Sequence, residues 1–132
     1  MIKFLDLQKV NLAYQAQVEK RLLDVFRGGW YLLGKELDNF ERNLKSYLQV
    51  DHVIGVANGL DALRLIFRAY IELGVMKAGD EVIVPANTYV ASILAISDNG
   101  LVPVFCEPAA QNFNIDIDKI EGLVTSRTKA IL

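Results

Sequence analysis

Two short segments carry residue types suited to holding a small anionic or aromatic ligand. The first is Val53-Ile54-Gly55-Val56-Ala57-Asn58-Gly59-Leu60-Asp61-Ala62-Leu63, an apolar run that turns through Asn-Gly directly into a helical pattern. The first amides of a helix have no partner within it, and the helix dipole adds partial positive charge there, so phosphate is a natural ligand. A glycine at that point lets the backbone approach the ligand with no Cβ in between. Asn58 and Gly59 would look the same if they served only as a turn and an N-cap, and spacing alone does not separate the two readings. The G-x-G-x-x-G and G-x-x-x-x-G-K-[ST] spacings are absent, which excludes a dinucleotide fingerprint and a Walker loop. The second segment is Gly79-Asp80-Glu81-Val82-Ile83-Val84-Pro85-Ala86-Asn87-Thr88-Tyr89. Here a strand is expected to end at the proline, with Asn87-Thr88 capping the next helix. That puts Tyr89 at the carboxyl edge of the sheet, where open α/β sheets bind ligands. Tyr89 then either offers a flat face to an aromatic cofactor or packs against the helix start.

Other reactive side chains are read as inert. The lone cysteine, Cys106, lies in the apolar run Val102-Pro103-Val104-Phe105-Cys106 and is expected to be buried filler; it has no partner for an internal disulfide. The single histidine, His52, cannot build a metal site with it. The lysines fall in polar faces, turns or the last strand, so they read as solvated charge. Lys and Arg total 14 against 16 Asp and Glu, interleaved to a formal charge of −2, which leaves no basic stripe for nucleic acid or an anionic membrane. No uninterrupted apolar run reaches about 18 residues, and the start MIKFLDLQKV lacks a signal-peptide core; a cytoplasmic chain is expected.

The elements that must position these residues follow from periodicity. Val10, Tyr14, Val18, Leu22 and Phe26, spaced four apart, predict one helix ending at Gly28-Gly29; Leu37, Phe40, Leu44, Tyr47 and Leu48 predict a second over 35–48. From His52 short apolar runs alternate with helices. Strands are expected at 52–56, 81–84, 102–105 and 129–132. Helices are expected through Leu60 to Ile71 with Gly74 as cap, from Tyr89 to Ser97 closing at Asn99-Gly100, and near 116–124. Short apolar strands each followed by a helix predict an α/β chain with a parallel sheet buried on both faces. At 132 residues such a chain hides roughly two-thirds of its unfolded surface. Ala130-Ile131-Leu132 reads as an apolar strand with nothing to close the layer, so truncation is expected.

Four stretches together are similar to one family. They are Gly28-Gly29-Trp30-Tyr31-Leu32-Leu33-Gly34, Ile54 to Leu63, Gly79 to Ala91, and Thr128-Lys129-Ala130-Ile131-Leu132. In order and spacing they resemble the DegT/StrS-type sugar aminotransferases over nearly the whole chain. The Asn-Gly-Leu-Asp-Ala-Leu form and Arg68-Ala69-Tyr70-Ile71-Glu72-Leu73-Gly74 look most like the branch that aminates C3 of dTDP-3-oxo-6-deoxyhexoses. The resemblance implies an aspartate-aminotransferase-like fold, a three-layer α/β/α arrangement with a mostly parallel sheet. Residues 1–132 would then be N-terminal helices plus the first part of the large domain. It implies pyridoxal 5'-phosphate as cofactor, with its phosphate held at the Asn58-Gly59-Leu60 turn, Thr88 and Tyr89 also contacting the cofactor, Tyr89 against the pyridine ring, and Tyr31 toward the substrate. Many members have Thr or Ser where this chain has Leu60, so a hydroxyl contact is lost while the amide remains.

The implied partners are a nucleotide sugar, an amino donor such as glutamate, and a second copy of the chain in a two-fold dimer, serving deoxyamino-sugar and surface-polysaccharide synthesis. Isolated, these residues are expected to self-associate through uncovered apolar surface. The family's cofactor-bearing lysine, the aspartate for the pyridine nitrogen and the histidine on the ring's other face have no counterpart among these residues. The chain by itself is therefore expected not to transaminate, and no catalytic residue is assigned within it. Two alternatives stand beside this reading. One is a dehydratase of the same family, in which histidine replaces that lysine; the other is a non-catalytic α/β fragment.

Overall fold

Apolar, largely β-branched runs at Glu81–Pro85, Val102–Cys106 and Thr128–Ile131 form strands β1, β2 and β3 of a parallel sheet with the order β2-β1-β3. The structure is a computed structural model that describes residues 3–132. Along β1 the side chains alternate between faces. Val82 and Val84 pack with Phe67, Met76, Ala95, Ile96 and Leu101, and Ile83, pointing to the opposite face, is fully buried as well. The central strand is thus covered on both sides, as the continuous apolar run anticipated.

Two helices supply the Val82 and Val84 side. Helix α4, Gly59–Glu72, turns Phe67, Leu60, Leu63 and Ile71 inward, and α5, Val90–Ser97, contributes Ala95 and Ile96. The chain leaves α4 through Gly74, whose φ of +72° is the left-handed turn anticipated for a capping glycine. It enters the amino end of β1, while α5 leads by Asp98–Leu101 into the amino end of β2. The Gly79 N–H donates to the Gly100 carbonyl at 2.9 Å, so the two connections lie side by side. Both helices therefore begin toward the carboxyl edge of the sheet. The segment near 116–124 is shorter than a single helix: α6 spans Ile117–Ile120 and a 3-10 turn continues over Glu121–Leu123. Cys106 is buried as expected, its thiol near the Asp116 carbonyl at 3.5 Å.

One carboxylate inside this unit has a long-range role. Glu81, 4% exposed, accepts from Thr125 Oγ1 at 2.5 Å and from Arg127 at 2.5 Å, pinning the approach to β3 onto the start of β1 where the pairing register shifts. The Thr125 hydrogen bond, opposed by burial and joined by Arg127, holds Glu81 below the usual carboxylate range. A carboxyl with a lowered folded pKa stabilises the fold above its unfolded value, and that contribution is lost as pH falls through the lowered one. Urea midpoints measured from neutral pH downward should fall more steeply on the acid side for the native chain than for Glu81→Gln. Equal slopes would remove Glu81 from the linkage.

The chain divides into two compact units, Met1–Gly55 and Val56–Leu132. The first contains α1 (Leu7–Leu12), α2 (Gln15–Gly28) and α3 (Lys35–Leu48). The single helix anticipated over Val10 to Phe26 is instead two. Tyr14 N–H bonds back to Asn11 and the helix restarts at Gln15. Residues four apart drift around a 3.6-residue helix, so five of them do not keep one straight seam. All five are exposed, from Val18 at 50% to Phe26 at 71%.

The strand expected over 52–56 is also absent. An apolar run becomes a strand only when a neighbour takes its amides and carbonyls. Among the described residues β1 already pairs on both edges, and 52–56 has no strand beside it. Ile54 is left 79% exposed. What holds this stretch is Glu41, which accepts from the Gly55 N–H at 2.7 Å; a Cβ on Gly55 would meet Leu37 Cδ1 at 2.5 Å, so this approach requires glycine.

Candidate functional site

The turn into α4 is built by Asn58. Its backbone is extended, at φ −163° and ψ 174°; its Oδ1 accepts the Asp61 N–H at 3.0 Å, and its Nδ2 donates to Asp61 Oδ2 at 3.0 Å. The first helical bond runs from the Ala62 N–H to the Asn58 carbonyl at 3.1 Å. Those bonds leave the amides of Gly59 and Leu60 without an acceptor among the described residues. Leu60 packs its side chain against the core cluster, so its amide is fixed by a buried anchor.

A Cβ added to Gly59 would meet nothing within 4 Å, and Gly59 does not have a left-handed φ. Neither packing nor backbone conformation inside the protein calls for glycine here. Two free donors, a helix N-terminus and open space where a Cβ would stand are what a phosphate group requires.

The second segment departs from expectation at its cap. After β1 ends at Pro85, the Thr88 N–H bonds to the Pro85 carbonyl at 3.1 Å, and Tyr89, extended at φ −69° and ψ 143°, is itself the N-cap of α5. No side chain caps this helix. Asn87 is drawn away by the Phe113 carbonyl, to which its Nδ2 donates at 2.9 Å, and Thr88 Oγ1 donates to Ser92 Oγ at 3.2 Å. The tight turn delays the helix by one residue and directs the two polar side chains elsewhere. Tyr89 is 79% exposed at the carboxyl end of β1, with a bare ring face.

In the first unit, Tyr31 donates its hydroxyl to the Phe26 carbonyl at 3.1 Å and lines an open cleft of about 570 Å³ with Val25, Trp30 and Leu33. A Cβ on Gly34 would come 2.6 Å from the Trp30 ring, so the indole lies directly on that glycine.

One constellation escaped the sequence reading. Arg64 on α4 donates through Nε to Asp98 Oδ2 at 2.7 Å, pairs with the same carboxylate through Nη2, and reaches Asp61 Oδ1 at 3.4 Å. Asn99 Nδ2 donates both to the Arg64 carbonyl at 3.2 Å and to the Ala95 carbonyl at 2.9 Å. The hydrogen bond to Asp98, more than any other cause, raises the Arg64 pKa and keeps it charged. The local half of this network had a signal: Asn58 and Asp61 stand at N-cap and N3 spacing, and Asp61 and Arg64 three apart. The Asp98 half lies 34 residues away and had none.

Residues 13–132 match the model of the DegT/DnrJ/EryC1/StrS aminotransferase family. The chain is 56% identical over all 132 residues to a dTDP-3-amino-3,6-dideoxy-alpha-D-galactopyranose transaminase of Aneurinibacillus thermoaerophilus, covering 35% of that protein. It is 41% identical over 99% of its length to a dTDP-3-amino-3,4,6-trideoxy-alpha-D-glucose transaminase of Streptomyces venezuelae, covering 34% of that one. The crystal structure of S. venezuelae DesV with a ketimine intermediate superimposes with a TM-score of 0.84 at 41% identity, over 98% of this chain and 34% of DesV. The chain thus spans about a third of the length of the curated relatives it matches.

Proposed function

Because this chain belongs to the DegT/DnrJ/EryC1/StrS aminotransferase family, we propose that it forms the N-terminal, cofactor-phosphate-binding part of an enzyme that aminates a nucleotide-linked keto-deoxysugar. The observation that carries the reading is the pair of unpartnered amides at Gly59 and Leu60, facing open space that a Cβ would fill. When bound, pyridoxal 5'-phosphate supplies the electron-accepting ring through which an amino group passes from a donor to a ketone.

This chain's own residues do the holding. Gly59 and Leu60 would donate to the phosphate, Asn58 shapes the turn that frees their amides, and Thr88 and Tyr89 would contact the cofactor, Tyr89 offering its exposed ring to the pyridine face. Tyr31, which lines a cleft in the first unit, would take the substrate-side role that the family resemblance implies. The substrate is a dTDP-3-oxo-6-deoxyhexose, which the 56% identity to a dTDP-sugar transaminase supports, and the donor is glutamate. The structural neighbour that is a GDP-4-keto-6-deoxy-D-mannose-3-dehydratase stands at only 26%, so amination is favoured over dehydration. The enzyme works as a dimer in the cytoplasm, in deoxyamino-sugar and surface-polysaccharide synthesis. No helix among the described residues is long and apolar enough to cross a membrane.

The reading separates cofactor binding from turnover. The chain's lysines stand exposed in polar faces, turns and the last strand, with no buried, positioned amine among the described residues to act as nucleophile. Purified residues 1–132 mixed with pyridoxal 5'-phosphate, glutamate and a dTDP-3-oxo-6-deoxyhexose should release 2-oxoglutarate no faster than free cofactor does. A longer polypeptide carrying the same residues should turn over. Catalysis by the 132 residues alone would refute the division of labour.

A further inference from the structure

Arg64 ties the first turn of α4 to the end of α5, and we propose that it is a positioning and charge-balancing residue for the phosphate site, offsetting the Asp61 carboxylate beside the Gly59 and Leu60 amides. The proposal rests on the reading of α4 as the phosphate-binding helix.

The need for such a residue comes from Asp61 itself. Its amide is used by Asn58, and its carboxylate stands in the same first turn as the two free donors. A negative side chain there suits the helix dipole but opposes an incoming phosphate. One carboxylate oxygen is engaged by Asn58 Nδ2, and the other faces the Arg64 guanidinium at 3.4 Å. Arg64 thus brings a positive charge to the Asp61 carboxylate in the first turn of α4.

The same residue is held at two points. Asp98 grips its side chain, and Asn99 grips its carbonyl while also taking the Ala95 carbonyl of α5. Asp98 caps the carboxyl end of α5, where a negative group is electrostatically misplaced unless a cation accompanies it. Arg64 is that cation. Because Tyr89 is the N-cap of α5, a clamp that stops α4 sliding along α5 also sets how far the free amides stand from the Tyr89 ring. Stability alone does not account for the arrangement: the Arg64 and Asp98 side chains are 40% and 39% exposed, and pairs so wet add little to folding.

The test uses the full polypeptide, stripped of cofactor and titrated with pyridoxal 5'-phosphate, with inorganic phosphate as competitor. Arg64→Gln should raise both the cofactor Kd and the phosphate inhibition constant about two- to fivefold, the size of one charge near a helix terminus. The melting temperature without cofactor should barely move. Asp61→Asn/Arg64→Gln should recover the affinity, a rescue that a purely structural role would not give. Asp61→Asn alone, which keeps a hydrogen-bonding group for Asn58, should bind at least as tightly as the unaltered protein, and it tests the idea even where Arg64→Gln does not fold. Gly59→Pro reports on the underlying reading. If Gly59→Pro binds cofactor normally, α4 is not the phosphate helix and the Arg64 assignment falls with it. If Gly59→Pro is weakened while Arg64→Gln binds normally, or the double variant shows no recovery, or Asp61→Asn binds more weakly, the Arg64 assignment alone is overturned.

Discussion

Gly59→Pro should fold as well as the unaltered protein yet lose about 10- to 100-fold in affinity for pyridoxal 5'-phosphate, the worth of one charge-assisted hydrogen bond. Three features of the turn make this substitution clean. Gly59 is the first residue of α4, the position where proline is most welcome because its missing N–H has no helical partner in any case. Asn58 before it is extended, the conformation that a following proline enforces. The space in front of Gly59 is open, so the ring meets no protein atom at its Cβ.

The fold therefore tolerates what the ligand does not. The substitution removes one of two free donors and places carbon where a phosphate oxygen would sit. Absorbance or fluorescence titration gives the Kd, and thermal melting without cofactor gives the control. Gly59→Ala sharpens the contrast: it should leave the empty protein as stable or more so, since it lowers unfolded-chain entropy, while still crowding the ligand. Unchanged affinity in Gly59→Pro would move the phosphate site elsewhere.

Ile96→Ala should cost about 2–5 kcal/mol of folding stability, the range for truncating a buried isoleucine when the surroundings close only partly around the cavity. Ile96 is fully buried and belongs to the cluster that joins α4 and α5 to β1 through Phe67, Val82 and Val84. A domain is stable by about 5–15 kcal/mol in all, so this one substitution removes a large share. Because the cluster also anchors Leu60, cofactor binding should weaken with it, through the tilt of α4 rather than through any direct contact. Urea unfolding of the full polypeptide measures the cost. Val90→Ala on the same helix, at a residue 53% exposed, is the control and should stay within about 0.5 kcal/mol. Equal effects of the two substitutions would mean that α5 does not pack as described.

The residues themselves made a good part of this legible. Asn58 in front of Gly59-Leu60-Asp61 announces a helix start, because an asparagine N-cap and an acid at N3 act over a single turn of chain. Gly74 announces the end of that helix for the same local reason. The alternation of apolar runs with helical patterns from His52 onward predicted a parallel, doubly covered sheet, and although 52–56 forms no strand, Ile83 buried opposite Val82 and Val84 bears this out for β1. The order and spacing of the four motifs carried the family, as the match over residues 13–132 shows.

Other features depended on contacts that no window of sequence contains. Whether 52–56 becomes a strand is decided by a neighbour to share hydrogen bonds, and its apolar residues say nothing about where that neighbour is. The four-residue spacing from Val10 to Phe26 looked like one helix because each step is locally helical, while the break at Tyr14 is a matter of accumulated drift. Asn87 looked like a cap until the Phe113 carbonyl, 26 residues on, took its amide. Nothing near Glu81 in the sequence marks it for burial, which is tolerable only because Arg127, 46 residues away, arrives beside it. Local hydrogen bonding and periodicity are written within one or two turns of chain, so they can be read from it. Strand partners, buried charges and the Arg64–Asp98 clamp are chosen among distant residues by packing, and only the tertiary structure brings those residues together.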